Sequence, residues 1–348
     1  MNDASNRDFV VACVAPGATG AESDLTARLS RMAVRAGLAT GAARVLGPGA
    51  VEISLPSPAA EGLEVLRHAL KAMADEADSA LLPASNRRKR LLVSDMDSTM
   101  IGQECIDELA DYAGLKAEIS AITERAMRGE LDFEGALTTR VAMLKGLPLS
   151  TLEQCFAERI RLSPGAAVLV RTMADHGARC VLVSGGFTFF TGRVAEIAGF
   201  HSHHANQLFE EADKLTGEVH PPILGRAAKL EALDAEAAAC GLTRADAIAL
   251  GDGANDLAII TAAGLGIAYR AKPVVAAEAD AAINLTDLTT ALYFQGYTAE
   301  QFSDPLEPRR PSVDQVSSSR SPGQCRRTRR GPDGGHERAA AARRSERH

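Results

Sequence analysis

The sequence is short of several features that would have assigned it quickly. It has no tryptophan, only 4% aromatic residues, no C-x-x-C pair, no overall excess of positive charge and no long apolar run. The six cysteines (Cys13, Cys105, Cys155, Cys180, Cys240 and Cys325) are scattered without zinc spacing, which argues against a disulfide or metal framework. A net charge of −7 and a pI near 5.7 exclude nucleic-acid binding driven by overall charge, because phosphate-backbone affinity needs a concentrated basic surface. The N-terminus, Met1-Asn2-Asp3-Ala4-Ser5-Asn6-Arg7-Asp8, lacks the basic-then-apolar order of a signal peptide, and no uncharged apolar stretch is long enough to span a bilayer. The expectation is a soluble, cytoplasmic protein with neither nucleic-acid nor membrane partners.

What is present is an ordinary globular composition, 46% hydrophobic and 24% charged, spread over 348 residues. That length exceeds what one core usually fills, so two domains, or one with an appendage, are expected. The charge is uneven. From Asp304 to His348 there are 11 arginines, no lysine and 6 acidic residues, a net of +5 that leaves −12 for the rest. Bulky apolar residues are almost absent from that tail (303–348), so burial could not offset its ordering entropy and disorder is expected.

The first stretch (1–84) reads as a small α+β unit: a strand over Phe9–Val14, a helix near Asp24–Ala36, strands near Ala43–Leu46 and Val51–Leu55, a helix near Glu61–Ala77 and a last strand over Ser79–Leu82. This is the ferredoxin-like order, with Gly47-Pro48-Gly49 as the turn between the middle strands. A basic run at 85–90 reads as a solvated linker. From Leu91 on, three apolar runs resemble buried parallel strands separated by helices: Leu91-Leu92-Val93, Cys180-Val181-Leu182-Val183 and Ala247-Ile248-Ala249-Leu250. They predict an α/β doubly wound parallel sheet, in which ligands gather at the carboxyl ends of the strands. Four helices are predicted between the first two strands, over Gln103–Ala113, Leu115–Arg128, Asp132–Leu144 and Leu149–Ile160, as a cap (about 103–162) over those ends. A hairpin is expected around Glu210-Glu211-Ala212-Asp213.

Each strand runs into polar residues suited to phosphoryl chemistry. The first ends in Asp95-Met96-Asp97-Ser98-Thr99, two carboxylates on one side of an extended segment. One could attack phosphorus while the other shuttles a proton, although acidic loops at strand ends also bind metals or cap helices. The second ends in Ser184-Gly185-Gly186, a hydroxyl with backbone N–H groups that could hold phosphate oxygens. The third ends in Gly251-Asp252-Gly253-Ala254-Asn255-Asp256, hard oxygen donors suited to Mg²⁺. Lys229 lies between the last two, where it could neutralise a phosphoryl group.

The order D-x-D-x-T, S-G-G, Lys, G-D-G-x-N-D resembles the haloacid dehalogenase superfamily of aspartate-nucleophile phosphatases. Within it, residues 91–302 resemble the phosphatases of phosphoserine, through Asp95–Glu104, Ile122–Met127, Leu131–Glu134, Arg140-Val141 and Leu144–Pro148. The resemblance implies Asp95 as nucleophile and metal ligand, and Asp97 as general acid/base that also offers a backbone carbonyl to the metal. It implies Ser184, Gly185 and Lys229 as phosphoryl ligands, Asp252 as a further carboxylate on Mg²⁺, and Asn255 and Asp256 as positioning groups. In the cap, Glu104 would meet the substrate ammonium and Arg140 its carboxylate, with Phe133 closing over the site. A zwitterionic amino-acid phosphate needs such an anion and guanidinium fork in a site shielded from water.

The implied activity is hydrolysis of O-phospho-L-serine through an aspartyl-phosphate, as the last step of serine biosynthesis. The rival readings are action on another small phosphate, such as phosphothreonine or phosphohomoserine, and an amino-acid sensor on an inactive phosphatase fold. The first unit resembles the ACT-like domains found on some bacterial relatives, with amino-acid sensing, dimerisation (a homodimer) and a purely structural role all open. His201, His203, His204 and His220 are read as solvated rather than as a metal site.

Overall fold

The computed structural model describes residues 8–17, 19–127 and 132–304. The tail expectation therefore lies almost wholly outside the described residues, as does Leu131 of the cap motif. The first unit runs β1 (Phe9–Val14), α1 (Glu22–Arg35), β2 (Ala43–Gly47), β3 (Ala50–Leu55), α2 (Ala60–Lys71) and β4 (Asp78–Pro83). Its strands lie in the order β2-β3-β1-β4, with every neighbouring pair antiparallel. Leu25, Leu29 and Ala33 on α1, and Leu63, Leu66 and Leu70 on α2, recur at helical spacing and cover one face of this sheet together with Val11, Cys13, Val51 and Ile53. The second helix stops at Lys71, short of the expected Ala77, and the chain turns so that Met73 and Ala77 also reach that core.

Next come β5 (Leu91–Ser94) and the cap helices α3 (Cys105–Tyr112), α4 (Lys116–Met127), α5 (Phe133–Met143) and α6 (Leu149–Arg159). The chain returns through α7 (Ala166–Asp175), β6 (Arg179–Phe187), α8 (Thr188–Ala198) and β7 (Ser202–Asn206). A hairpin follows, β8 (Leu208–Glu211) with β9 (Lys214–Val219), as expected. The remaining elements are α9 (Arg226–Ala239), β10 (Ala247–Gly251), α10 (Leu257–Ala262), β11 (Leu265–Tyr269), α11 (Pro273–Glu278), β12 (Ala281–Ile283) and α12 (Thr290–Phe294).

Strands β12-β11-β10-β5-β6-β7 form a parallel sheet with β5 at its centre. Every residue of β5, β10 and β11 is buried, which is why they appear in the sequence as unbroken apolar runs. From β5 the chain winds outward to β6 and β7, then crosses back to β10, β11 and β12, so the reversal of strand order falls beside β5. That is the place where such sheets bind ligands. No helix among the described residues is long and apolar enough to cross a membrane.

The 85–90 run is solvated only in part: Ser85, Asn86, Arg88 and Arg90 are exposed, whereas Arg87 and Lys89 are not. β4 pairs antiparallel with β12 through Ala80 and Ala281, so ten strands make one continuous sheet. The second face of the first unit (Ala12, Val14, Ala50, Leu82) shares a core with Ala291, Leu292 and Phe294 of α12. Arg87 forms an ion pair with buried Glu52 of β3 at 2.9 Å and donates to the Phe294 carbonyl, while the Lys89 ammonium donates to the Ala245 carbonyl at 2.8 Å. These basic side chains are spent on internal acceptors, which removes them from any charged surface.

Candidate active site

Asp95 leaves β5 in extended geometry, and its amide still donates to the Leu250 carbonyl of β10. The next residues turn sharply, with Asp97 extended and Ser98 at φ 54° in the left-handed region. The turn swings Asp97 toward the cap: its Oδ1 accepts from the Cys105 amide at the start of α3 (2.9 Å), and its Oδ2 from the Ser184 hydroxyl (3.3 Å). Burial pushes the Asp97 carboxyl up, against the opposing pull of the Cys105 and Ser184 donors.

Lys229, on the first turn of α9 and only 3% exposed, reaches Asp95 Oδ1 at 2.7 Å and Asp256 Oδ1 at 2.5 Å. These two carboxylates keep the ammonium charged despite its burial. The other oxygen of Asp256 accepts from the amides of Asp252 (3.2 Å) and Gly253 (3.1 Å), so Asp256 is fully engaged in shaping its loop. Gly251 is required there, since a Cβ would lie 2.3 Å from the Asp256 carboxyl carbon. Burial and Asp256 push Asp95 up, and burial followed by Asp256 pushes Asp252 to about 6.

Carboxylate oxygens of Asp95, Asp252 and Asp256 all lie within 4.8 Å of one another. With Asp97 alongside, four aspartates face one lysine, and this surplus of hard oxygen and negative charge is what a divalent cation relieves. The donor set therefore fits a hard metal ion.

The remaining expected residues converge on the same place. Ser184 is buried on β6, whose register with β7 slips between Val183 and Phe187 where the S-G-G segment bulges. Its Oγ accepts from the Gly186 amide at 2.8 Å. The Phe133 ring, from the start of α5, lies over Gly185, where a Cβ would come within 2.9 Å of it, and beside Gly225. Glu104 is exposed and accepts from Ser98 Oγ at 2.6 Å. Crowding by the protein, then the charge of Asp97, pushes Glu104 up to about 7. Arg140 donates to the Ala136 carbonyl and to Thr123 Oγ1 at 3.3 Å; its charge faces Asp107, Glu104 and Asp97. Asn255 stands half-buried in the loop after β10, its amide oxygen packed against Gly253.

Sequence reasoning passed over three residues. Thr99 donates to Asp252 Oδ1 at 3.4 Å, Cys105 supplies the amide that holds Asp97, and Asn206 bridges two site loops. The first two are within or beside a motif; a single asparagine closing the polar segment Ser202–Asn206 gave no signal. The histidines are not simply solvated: the Cys180 amide donates to His201, His203 pairs with Thr191, His204 faces Glu236, and His220 stacks on Phe209.

An aspartate pair at the end of a central parallel strand, a buried lysine and a third strand's acidic loop under a helical cap define a class. The profile of haloacid dehalogenase-like hydrolases matches residues 92–260, and the chain belongs to that family. Several relatives are named phosphoserine phosphatase. A phosphoserine phosphatase of Streptococcus thermophilus (strain ATCC BAA-250 / LMG 18311) is 47% identical over 200 residues, 58% of this chain and 93% of the relative. One from Streptomyces coelicolor (strain ATCC BAA-471 / A3(2) / M145) is 45% identical over 242 residues, 68% of this chain, and the chain spans only 59% of that relative's length. A solved phospho-aspartyl intermediate analogue of phosphoserine phosphatase superposes with a TM-score of 0.56 at 38% identity, over 60% of this chain and 99% of that one.

Proposed function

We propose that this chain is a cytoplasmic, magnesium-dependent phosphatase that hydrolyses O-phospho-L-serine to L-serine and phosphate, the final step of serine biosynthesis. The observation that carries the reading is the pairing of Asp95 and Asp97 across one turn, with Lys229 on the first and the cap on the second. Asp95 Oδ attacks phosphorus in line, forming the P–O bond of an aspartyl-phosphate as the bond to the serine oxygen breaks. Asp97, whose carboxyl burial pushes up, gives that oxygen its proton. It then takes a proton from water, which attacks phosphorus and releases phosphate and free Asp95.

Asp95, Asp252 and the Asp97 backbone carbonyl would hold Mg²⁺, with Asp256 orienting Asp252 and Lys229. The ion's chemistry is Lewis-acid neutralisation of the phosphoryl oxygens. Ser184, the backbone at Gly185, Lys229 and Asn255 serve the phosphoryl group. Glu104 takes the ammonium and Arg140 the carboxylate, under Phe133. Phosphate release from a panel of phospho-amino acids and sugar phosphates, with and without Mg²⁺, tests the proposal. Preference for phosphoserine is expected; equal turnover of phosphothreonine or sugar phosphates would remove the substrate assignment, and no turnover of any would remove the activity.

A further inference from the structure

Asn206 has no part assigned above, yet it is 1% exposed and its side-chain amide is engaged on both sides, on one of them by the backbone of Gly185. Its Nδ2 donates to the Gly185 carbonyl at 2.9 Å and to the Leu224 carbonyl at 3.3 Å, and its Oδ1 accepts from the Leu224 amide at 2.7 Å. One side chain at the end of β7 thus ties the bulged S-G-G segment of β6 to the strand of chain that leads into Gly225 and α9.

Two consequences follow from covalent geometry. The Gly185 carbonyl and the Gly186 N–H belong to one planar peptide unit, so fixing the carbonyl fixes the direction of that N–H. The Gly186 N–H donates to Ser184 Oγ at 2.8 Å, and Ser184 Oγ in turn donates to Asp97 Oδ2 at 3.3 Å. Asn206 is therefore one peptide plane and one hydroxyl away from the proposed proton shuttle. The same tie fixes the spacing of Gly185 and Gly225, the two glycines against which the Phe133 ring packs. We propose that Asn206 is a positioning residue for the phosphatase site: it sets the Gly185–Gly186 peptide, and through it the Ser184 hydroxyl that faces Asp97.

The proposal deepens the phosphatase reading and is tested without assuming phosphoserine as substrate. A double-mutant cycle combines Asn206→Ala with Ser184→Ala, with p-nitrophenyl phosphate as substrate and folding checked by circular dichroism. Alone, Asn206→Ala is expected to lower kcat/KM by about thirtyfold, the effect of misplacing a group that acts on the reacting centre. In the Ser184→Ala background the same change is expected to cost less than about threefold, since residues acting in series are non-additive. Losses that multiply fully would overturn the proposal, as would an Asn206→Ala variant as active as wild type. Asn206→Ser is carried through the same cycle, so a poorly folding alanine variant does not decide the matter. If wild type turns over no phosphate ester, the activity reading fails separately, and the cycle is read from the affinity for inorganic phosphate, with the same non-additivity required.

Discussion

Replacing Asp78 with alanine should loosen the seam between the first unit and the catalytic sheet. Asp78 opens β4 and is 3% exposed, yet its carboxylate points across the seam into the turn after β12. It accepts from the amides of Asn284 (2.8 Å), Leu285 (3.2 Å) and Thr286 (2.8 Å) and from Thr286 Oγ1 (2.5 Å). Alanine would orphan three backbone donors, each costing about 1–3 kcal/mol if left dry, while the Thr286 hydroxyl would keep Thr290 Oγ1 as its partner. They would not stay wholly dry, because a cavity of about 360 Å³ lined by Asp78, Ser79, Lys71 and Asn284 adjoins them. Water entering from it would recover part of the loss. The expected net cost is about 3–5 kcal/mol for Asp78→Ala and about 1–2 kcal/mol for Asp78→Asn, which keeps one acceptor. Urea and thermal unfolding of the full chain, followed by circular dichroism, should show the midpoint falling by roughly 6–15 °C for the alanine variant. A loss under about 1 kcal/mol for Asp78→Ala would show that water alone serves the turn and that the carboxylate is not a clamp.

Asp95→Asn should abolish turnover, at least about a thousandfold, because an amide cannot form the acyl phosphate; residual phosphate release near the wild-type rate would refute the nucleophile. Arg140→Ala and Glu104→Gln should each raise KM for phosphoserine by about 10–100-fold, the worth of a charged hydrogen bond, while kcat/KM for p-nitrophenyl phosphate stays within about threefold. Equal effects on both substrates would remove the amino-acid contacts. Asp252, pushed up to about 6, must lose its proton to bind a cation. The magnesium concentration for half activation should therefore be flat above that pH and rise toward about tenfold per unit below it, and a flat profile to about pH 5 would refute its ligand role.

The catalytic half was legible because buried parallel strands leave unbroken apolar runs, and the polar residues that follow them fall at the carboxyl edge. Asp95, Ser184 and Asp252 could be placed together on that ground alone. Strands of other kinds left no such mark. β7 is Ser202–Asn206, polar along its length at the sheet edge, and β12 spans three residues whose burial comes from neighbours. The basic run at 85–90 misled for a related reason: Arg87 and Lys89 look solvated until Glu52 and the Ala245 carbonyl are known to lie opposite them. Glu52 itself alternates along β3 as a solvent-facing residue would, yet it is buried there between Arg44 and Arg87. The role of Cys105 was hidden because it acts through its backbone amide, where residue type says little, and that of Asn206 because its side chain meets only the backbone of two segments distant in sequence.

The ten-stranded sheet bears on how such an enzyme can gain a domain. The first unit joins at the β12 edge, extending the sheet sideways in its hydrogen-bonding direction. Growth in that direction adds width without touching the rim where β5, β6 and β10 end. The strand ends that carry Asp95, Ser184 and Asp252 therefore lie off the joint by which more than eighty residues are attached. The joint also gives the outermost catalytic strand a neighbour, so its free backbone groups no longer invite other chains.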